Sequence, residues 1–229
     1  DLEGRVVHSW RTENPPGNSV YLRADGSLLR SVKPPNAYGF GQGGAGGGIQ
    51  ILAWDGGIVW EHLYANDRHR QHHDIQPLPN GHVLVLAWEM KTRDQAVAAG
   101  RNPRWLEGHE LWPDKIVELK PKGKWEADVV WEWHVWDHLV QDHDRTKKNF
   151  GVVKEHPGLI DVNYTARGQA DWNHLNAIHY HAELDQIIVC SHNQHEVWVI
   201  DHSTSTAEAA GHQGGKSGQG GDLLYRWGN

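Results

Sequence analysis

A strand opening headed by histidine occurs twice in this chain, about a hundred residues apart, and that repetition constrains the fold more than any bulk property. The first copy reads His72-His73-Asp74-Ile75, then the turn Pro79-Asn80-Gly81 and the apolar run Val83-Leu84-Val85-Leu86. The second reads Asp171-Trp172-Asn173-His174-Leu175-Asn176-Ala177-Ile178, then Glu183-Leu184-Asp185 and Ile187-Ile188-Val189. Aligned, His72 falls on His174 and Asp74 on Asn176. A strand sends alternate side chains to one face, so each histidine and the carboxylate or amide two residues on are expected to point the same way. Histidines at the same point of a repeated unit are expected to converge on one place.

Three kinds of segment recur in a fixed order. A hairpin around a polar turn comes first: Val20 to Leu29, His72 to Leu86 and His174 to Val189. A strand ending near an acid follows: Ile49 to Asp55, Lys115 to Leu119 and Val197 to Asp201. A strand ending in tryptophan closes the unit: Ile58 to Trp60, Val129 to Trp131 and Leu223 to Trp227, with Val6 to Trp10 as a copy left over from a preceding unit. Two hairpin strands, a middle strand and an outer strand make a four-stranded blade. The expectation is an all-β fold, a β-propeller with about three blades over residues 1–229. The 13 Trp and 26 Gly against 2 Phe suit this architecture, with tryptophans at matching strand ends packing blade on blade. The chain starts and stops inside repeats, so it reads as a partial propeller domain truncated at both ends. Residues 90–113, 136–170 and 203–221 are insertions, the first with a short helix expected over Asp94 to Ala99. They and the glycine-dense Gly41 to Gly48 read as loops. An open half-ring would leave two apolar faces uncovered, so poor solubility or self-association, such as a homodimer, is expected.

The net charge of -7 argues against a nucleic-acid partner, which needs a basic face. No apolar run reaches the length of a membrane span. No signal peptide opens the chain, which carries little weight in one that starts within a repeat. The single Cys190 allows no disulfide within the chain. None of the glycine-dense stretches has a Lys-Ser/Thr pair leading from a strand into a helix, so a phosphate-cradling loop is not expected. Although the chain has 18 His, none shows zinc-ligand spacing, and neither a metal nor a cofactor is expected. Asp137-His138 and Asp142-His143 look like acid–base pairs but sit in a polar insertion, and are expected at the surface.

Five segments together resemble the aryl-sulfate sulfotransferase family. They are His72-His73-Asp74 with Leu78-Pro79-Asn80-Gly81-His82; Val130-Trp131-Glu132-Trp133 with Asp137-His138-Leu139; Asp171 to Ile178; Ile187-Ile188-Val189-Cys190-Ser191; and Gly221 to Asn229. The resemblance covers nearly the whole chain outside its loops. It implies a six-bladed propeller in the periplasm or outside the cell. Members move a sulfuryl group from a phenolic sulfate ester to another phenol, without a nucleotide sulfate donor, through a sulfated histidine. Aryl sulfates and phenols would then be the small-molecule partners. The resemblance maps His174 and Asn176 onto the family's sulfate-binding pair, and His72-His73 onto a second active-site histidine. The repeat register favours His72 as the ring facing the axis, with His73 pointing into the blade. The catalytic candidates are therefore His72, His73 and His174; the substrate-binding candidates are Asn176, His192 and Asn193.

Sulfuryl transfer needs a nucleophile, a cationic or hydrogen-bonding cradle for sulfate oxygens and an acid for the departing phenoxide, and imidazole can serve each role. Two departures from the family pattern matter. Where members often carry an arginine, this chain has Ser191-His192-Asn193, which exchanges a permanent bidentate cation for a titratable single donor. The family's nucleophilic histidine lies in a later blade, and no residue here matches it. The full-length parent is expected to be the enzyme and the isolated chain inactive. Two rival readings are a non-catalytic propeller used as a binding module and a metal-dependent hydrolase of sulfate esters.

Overall fold

The computed structural model describes residues 1–37, 39–164 and 168–228. Its first sheet comprises β1 (Pro16–Leu22), β2 (Leu28–Val32), β3 (Gly48–Leu52) and β4 (Ile58–Leu63), antiparallel and paired in chain order. The hairpin of β5 (His69–Pro77) and β6 (Val83–Glu89) opens the second. An excursion then carries β7 (Lys91–Thr92), helix α1 (Arg93–Ala98) and β8 (Glu110–Leu111), with β7 paired to β8. Thr92 caps α1 in a capping box with Gln95, which is why a six-residue helix forms where one was expected. β9 (Asp114–Lys122) and β10 (Glu126–His134) complete the second sheet in the order β10-β9-β6-β5. A short parallel pair follows, β11 (Leu139–Val140) with β12 (Ile160–Asp161). The third sheet runs in chain order through β13 (Leu175–His181), β14 (Gln186–Ser191), β15 (Glu196–Asp201) and β16 (Tyr225–Gly228), with helix α2 (Thr206–Ala209) before its last strand. The all-β class and the four-stranded units are therefore as the repeats indicated.

Turn chemistry sets the hairpins. Gly26 and Gly81 hold φ of +81° and +86°, which costs glycine nothing, at the turns closed by Arg23 N–H to Ser27 O and Leu78 N–H to His82 O. β6 is buried along all seven residues and feeds two cores by simple alternation. Val83, Val85 and Ala87 join Leu29, Ile49 and Ile51 of the first sheet. Leu84 and Leu86 join Ile178, Ile187 and Val189 of the third. Each such aliphatic side chain contributes about 1.5–3 kcal/mol by leaving water, so the second sheet binds the other two together.

Two polar devices repeat this linkage. Trp60 Nε1 on β4 donates to Glu126 O on β10 at 2.8 Å, and Trp131 Nε1 on β10 donates to Thr204 Oγ1 beyond β15 at 3.2 Å. Trp227 holds the matching place on β16 and is 68% exposed. Near the opposite edges of the sheets, β5 packs against both β1 and β13. There the Asp74 carboxylate accepts from Tyr21 Oη and from Ile178 N, each at 3.1 Å.

Two expectations need correction. Val6 to Trp10 forms no strand: a strand requires a hydrogen-bonded neighbour, and this segment instead lies on the first sheet's turn. Trp10 Nε1 donates to Ala53 O at 2.9 Å, and His8 stacks on Trp54. His138 is not a surface residue but completely buried, its ring stacked on Trp133 and covered by Ala209, Gly221 and Asp222 from the segment before β16. Among the described residues no helix is long and apolar enough to cross a membrane.

Candidate active site

The expected histidines do meet, but in a different order. The ring of His73 lies edge-on to that of His174, with centroids 4.6 Å apart, and His192 follows at 5.2 Å from His174. His72 is fully enclosed, stacked on Trp88 with its Nε2 2.6 Å from Asp114 Oδ1. The register that put His72 outward and His73 into the sheet is thus reversed. The reason is local: His73 and His174 both have left-handed backbone, φ +44° and +55°, and the pairing shifts register between Gln71 and Ile75 and again between Leu175 and Ala177. Such irregularities break the two-residue alternation on which a face count depends. Asn176, at the second shift, lines a groove of about 260 Å³ with His192, His195 and Trp227.

A chain of hydrogen bonds fixes protons along the first pair. His72 Nδ1 lies 3.0 Å from His73 Nδ1, while Nε2 faces Asp114. Burial drives both members of the enclosed pair toward neutrality, holding the His72 ring down at about 3 and the Asp114 carboxyl well above the usual carboxylate range. The neutral arrangement has Asp114 donating to His72 Nε2 and His72 Nδ1–H donating to His73, which leaves the His73 proton on Nε2. Burial, then the neighbouring His72 and His174, lower His73 to about 4, so it acts as a neutral donor.

His174 is the opposite case. Its Nδ1 pairs with Asp171 Oδ2, and that hydrogen bond raises its pKa against the opposing effect of burial, favouring the imidazolium. Asp171 is anchored through its other oxygen, which accepts from Trp88 Nε1 at 2.9 Å. His192 is set by Asn193. The amide Nδ2 donates to Asp171 O at 3.1 Å, so Oδ1 must face His192 Nδ1 at 2.9 Å. The His192 proton therefore sits on Nδ1, and in the neutral ring Nε2 carries a lone pair on an exposed side chain. The arrangement offers an anion one favoured cation, one neutral donor and one nitrogen able to take a proton.

Some supporting residues were not visible in the sequence. Asp114 opens β9 after an insertion and carries no motif. Asp171 stands three residues before His174 and could have been found by that spacing. Asn173 is buried with neither amide atom hydrogen-bonded, while its carbonyl accepts from Ser191 Oγ and Asn193 N. The Gly41 to Gly48 stretch is more than a spacer. Gly44 O accepts from His73 N at 2.8 Å, and a Cβ on Gly44 would sit 1.9 Å from the His73 ring. A larger cleft of about 610 Å³, beside Lys147, His156 and His212, contains none of these groups.

Fold and site together define an all-β protein with a cluster of histidines where its second and third sheets meet. The chain belongs to the arylsulfotransferase (ASST) family, whose family model matches residues 56–208. No curated protein matches it. Among solved structures, the chain is similar to a protein of unknown function from Bacteroides caccae, at 13% identity and a TM-score of 0.35. That match covers 93% of this chain and 60% of the other, so the chain spans about three fifths of the matched structure's length.

Proposed function

We propose that the His73–His174–His192 cluster binds the sulfuryl group of an aryl sulfate ester for transfer to a phenol, in a protein whose sheets are the blades of a propeller. The observation that carries this reading is the Asp171-held His174 ring 4.6 Å from the His73 ring, which sets a favoured cation beside a neutral donor. His174 and His73 Nε2–H would donate to non-bridging sulfate oxygens as charge builds on them. The S–O bond to the aryl group breaks as a nucleophilic nitrogen bonds to sulfur, and the phenoxide leaves, taking a proton from solvent. The acceptor phenol then attacks sulfur, the N–S bond breaks, and His192 Nε2 would take the phenol's proton and pass it to solvent. Family resemblance assigns the sulfated nitrogen to a histidine in a later blade. It also assigns the protein to the periplasm or the cell exterior. The blade reading draws support from the repeated Trp60 and Trp131 links between successive sheets.

The test is an assay of the full-length protein with a chromogenic phenolic sulfate, with and without an acceptor phenol. Release of chromophore that depends on the phenol, and that His174→Ala reduces by about 10²–10³, is expected. Binding of the ester with no turnover would favour a binding module instead. Phenol-independent hydrolysis abolished by a chelator would favour a metal-dependent hydrolase.

A further inference from the structure

A second histidine site, sharing no residue with the first, lies between the 3-10 turn after β10 and the loop before β16. His138 is buried flat against Trp133, with ring centroids 5.5 Å apart and planes within 7°. Its Nε2 is 2.9 Å from the carbonyl oxygen of Ala209, which can only accept, so Nε2 carries a proton. In a neutral ring Nδ1 then presents a lone pair. Yet Nδ1 faces Asp222 Oδ1 at 2.8 Å, and His212 Nδ1 faces the same oxygen at 2.7 Å. Two atoms that can each only accept do not rest this close without a proton or a metal ion between them.

We propose that His138 Nδ1, His212 Nδ1 and Asp222 form a binding site for a divalent transition-metal ion of the zinc type. Imidazole nitrogen and carboxylate oxygen are the donor classes such an ion prefers, and all three ligand atoms lie within 4.8 Å of one another. The bond from His138 Nε2–H to Ala209 O is the outer contact that commonly orients a ligating histidine. The backbone around the site is built to close approach. Gly221 N donates to Gly211 O at 3.0 Å, which sets the next residue after each glycine, Asp222 and His212, side by side. Trp133 Nε1 donates to Gly221 O at 2.7 Å, and a Cβ on Gly221 would lie 2.0 Å from Ala209 O and 2.7 Å from His138 Nε2. Ligands about 2.0–2.1 Å from a tetrahedral ion stand about 3.3–3.4 Å apart. The site must therefore open slightly, and His212, exposed on its glycine-rich loop, is the ligand free to move. His212 also lines the cleft of about 610 Å³, through which water can reach the ion as a fourth ligand. The ion would tie the second sheet to the third.

The test is calorimetric titration of the chelator-stripped protein with Zn²⁺, and with Co²⁺ followed by its visible absorption. One equivalent is expected to bind with a tetrahedral cobalt spectrum. His212→Ala and Asp222→Asn are each expected to weaken binding by at least about 10–100-fold and to abolish the spectrum, with circular dichroism unchanged. His143→Ala, on an exposed loop residue outside the site, is expected to bind like the parent. Absence of saturable binding, or equal binding by the parent and both ligand variants, would overturn the proposal and leave a proton between His138 and Asp222.

Discussion

Asp171 grips His174 through one carboxylate oxygen and accepts from the buried indole of Trp88 through the other at 2.9 Å, so the site's cation is fixed to the core of the second sheet. The consequence is a pH dependence with a definite sign. The Asp171 hydrogen bond raises the His174 pKa, so its donor form is present below that raised pKa and lost as pH rises through it. In Asp171→Asn the neutral amide no longer favours the imidazolium, and the loss is expected to begin at lower pH. Titration of the His174 ring by NMR in both proteins measures this directly. An unchanged His174 pKa in the variant would remove the basis for assigning the cation to this ring.

His72 and His73 are neighbours in sequence with opposite expected roles. His72→Ala leaves the Asp114 carboxyl buried without its main partner and opens a void against Trp88. A destabilisation of about 2–5 kcal/mol is expected from the unpartnered neutral carboxyl and the void together, measured by urea unfolding. His73→Ala removes a half-buried donor and is expected to cost far less stability but about 10²–10³ in turnover of the full-length protein. The reverse pattern would return His72 to the site.

The architecture was legible because its signals are local and repeated: β-branched runs, polar turns and a capped short helix each act within a few residues. The histidine cluster was legible as a set: position in the repeat pointed to His72 and His174, and the family resemblance added His73 and His192. Their order was not. Positive φ at His73 and His174 is a property of the folded backbone, and no residue type at either position announces it. Asp114 and His138 were missed for a different reason: each gains its meaning from a partner far along the chain, Asp114 from His72 and His138 from Asp222. Composition marked residues 136–170 as polar and so as surface, whereas burial of His138 rests on a polar partner at each of its nitrogens.

Gly44 offers a test of how closely the site is packed. Its φ is +81°, and a methyl group there would enter the space of the His73 ring. Gly44→Ala is therefore expected to displace His73 and lower turnover, with a smaller effect on stability because the segment is a surface loop. Gly56→Ala is the matched control: it has φ +90°, carries the same backbone strain and would meet nothing within 4 Å. Equal turnover in the two variants would show that the loop does not hold His73.

His134 gives a stability test that is independent of the chemistry. Its Nε2 lies 2.9 Å from Glu132 Oε2 and its Nδ1 3.2 Å from Glu89 Oε1, with Lys115 and Lys91 ion-paired to the same two carboxylates. Burial alone would lower the ring's pKa, but the bonds to Glu132 and Glu89 outweigh it and raise it to about 9. With the folded value above the unfolded value of about 6.5, the pairing contributes fully below that lower value and is lost as pH rises through about 9. The side chain is partly solvated, so the contribution is on the order of 1–3 kcal/mol after screening. Urea unfolding of the parent and of His134→Gln isolates it, because groups common to both cancel in the difference. A gap between the two is expected near pH 6 and should close toward pH 10. A gap that stayed constant across this range would mean that His134 stabilises the sheet by packing and not by charge.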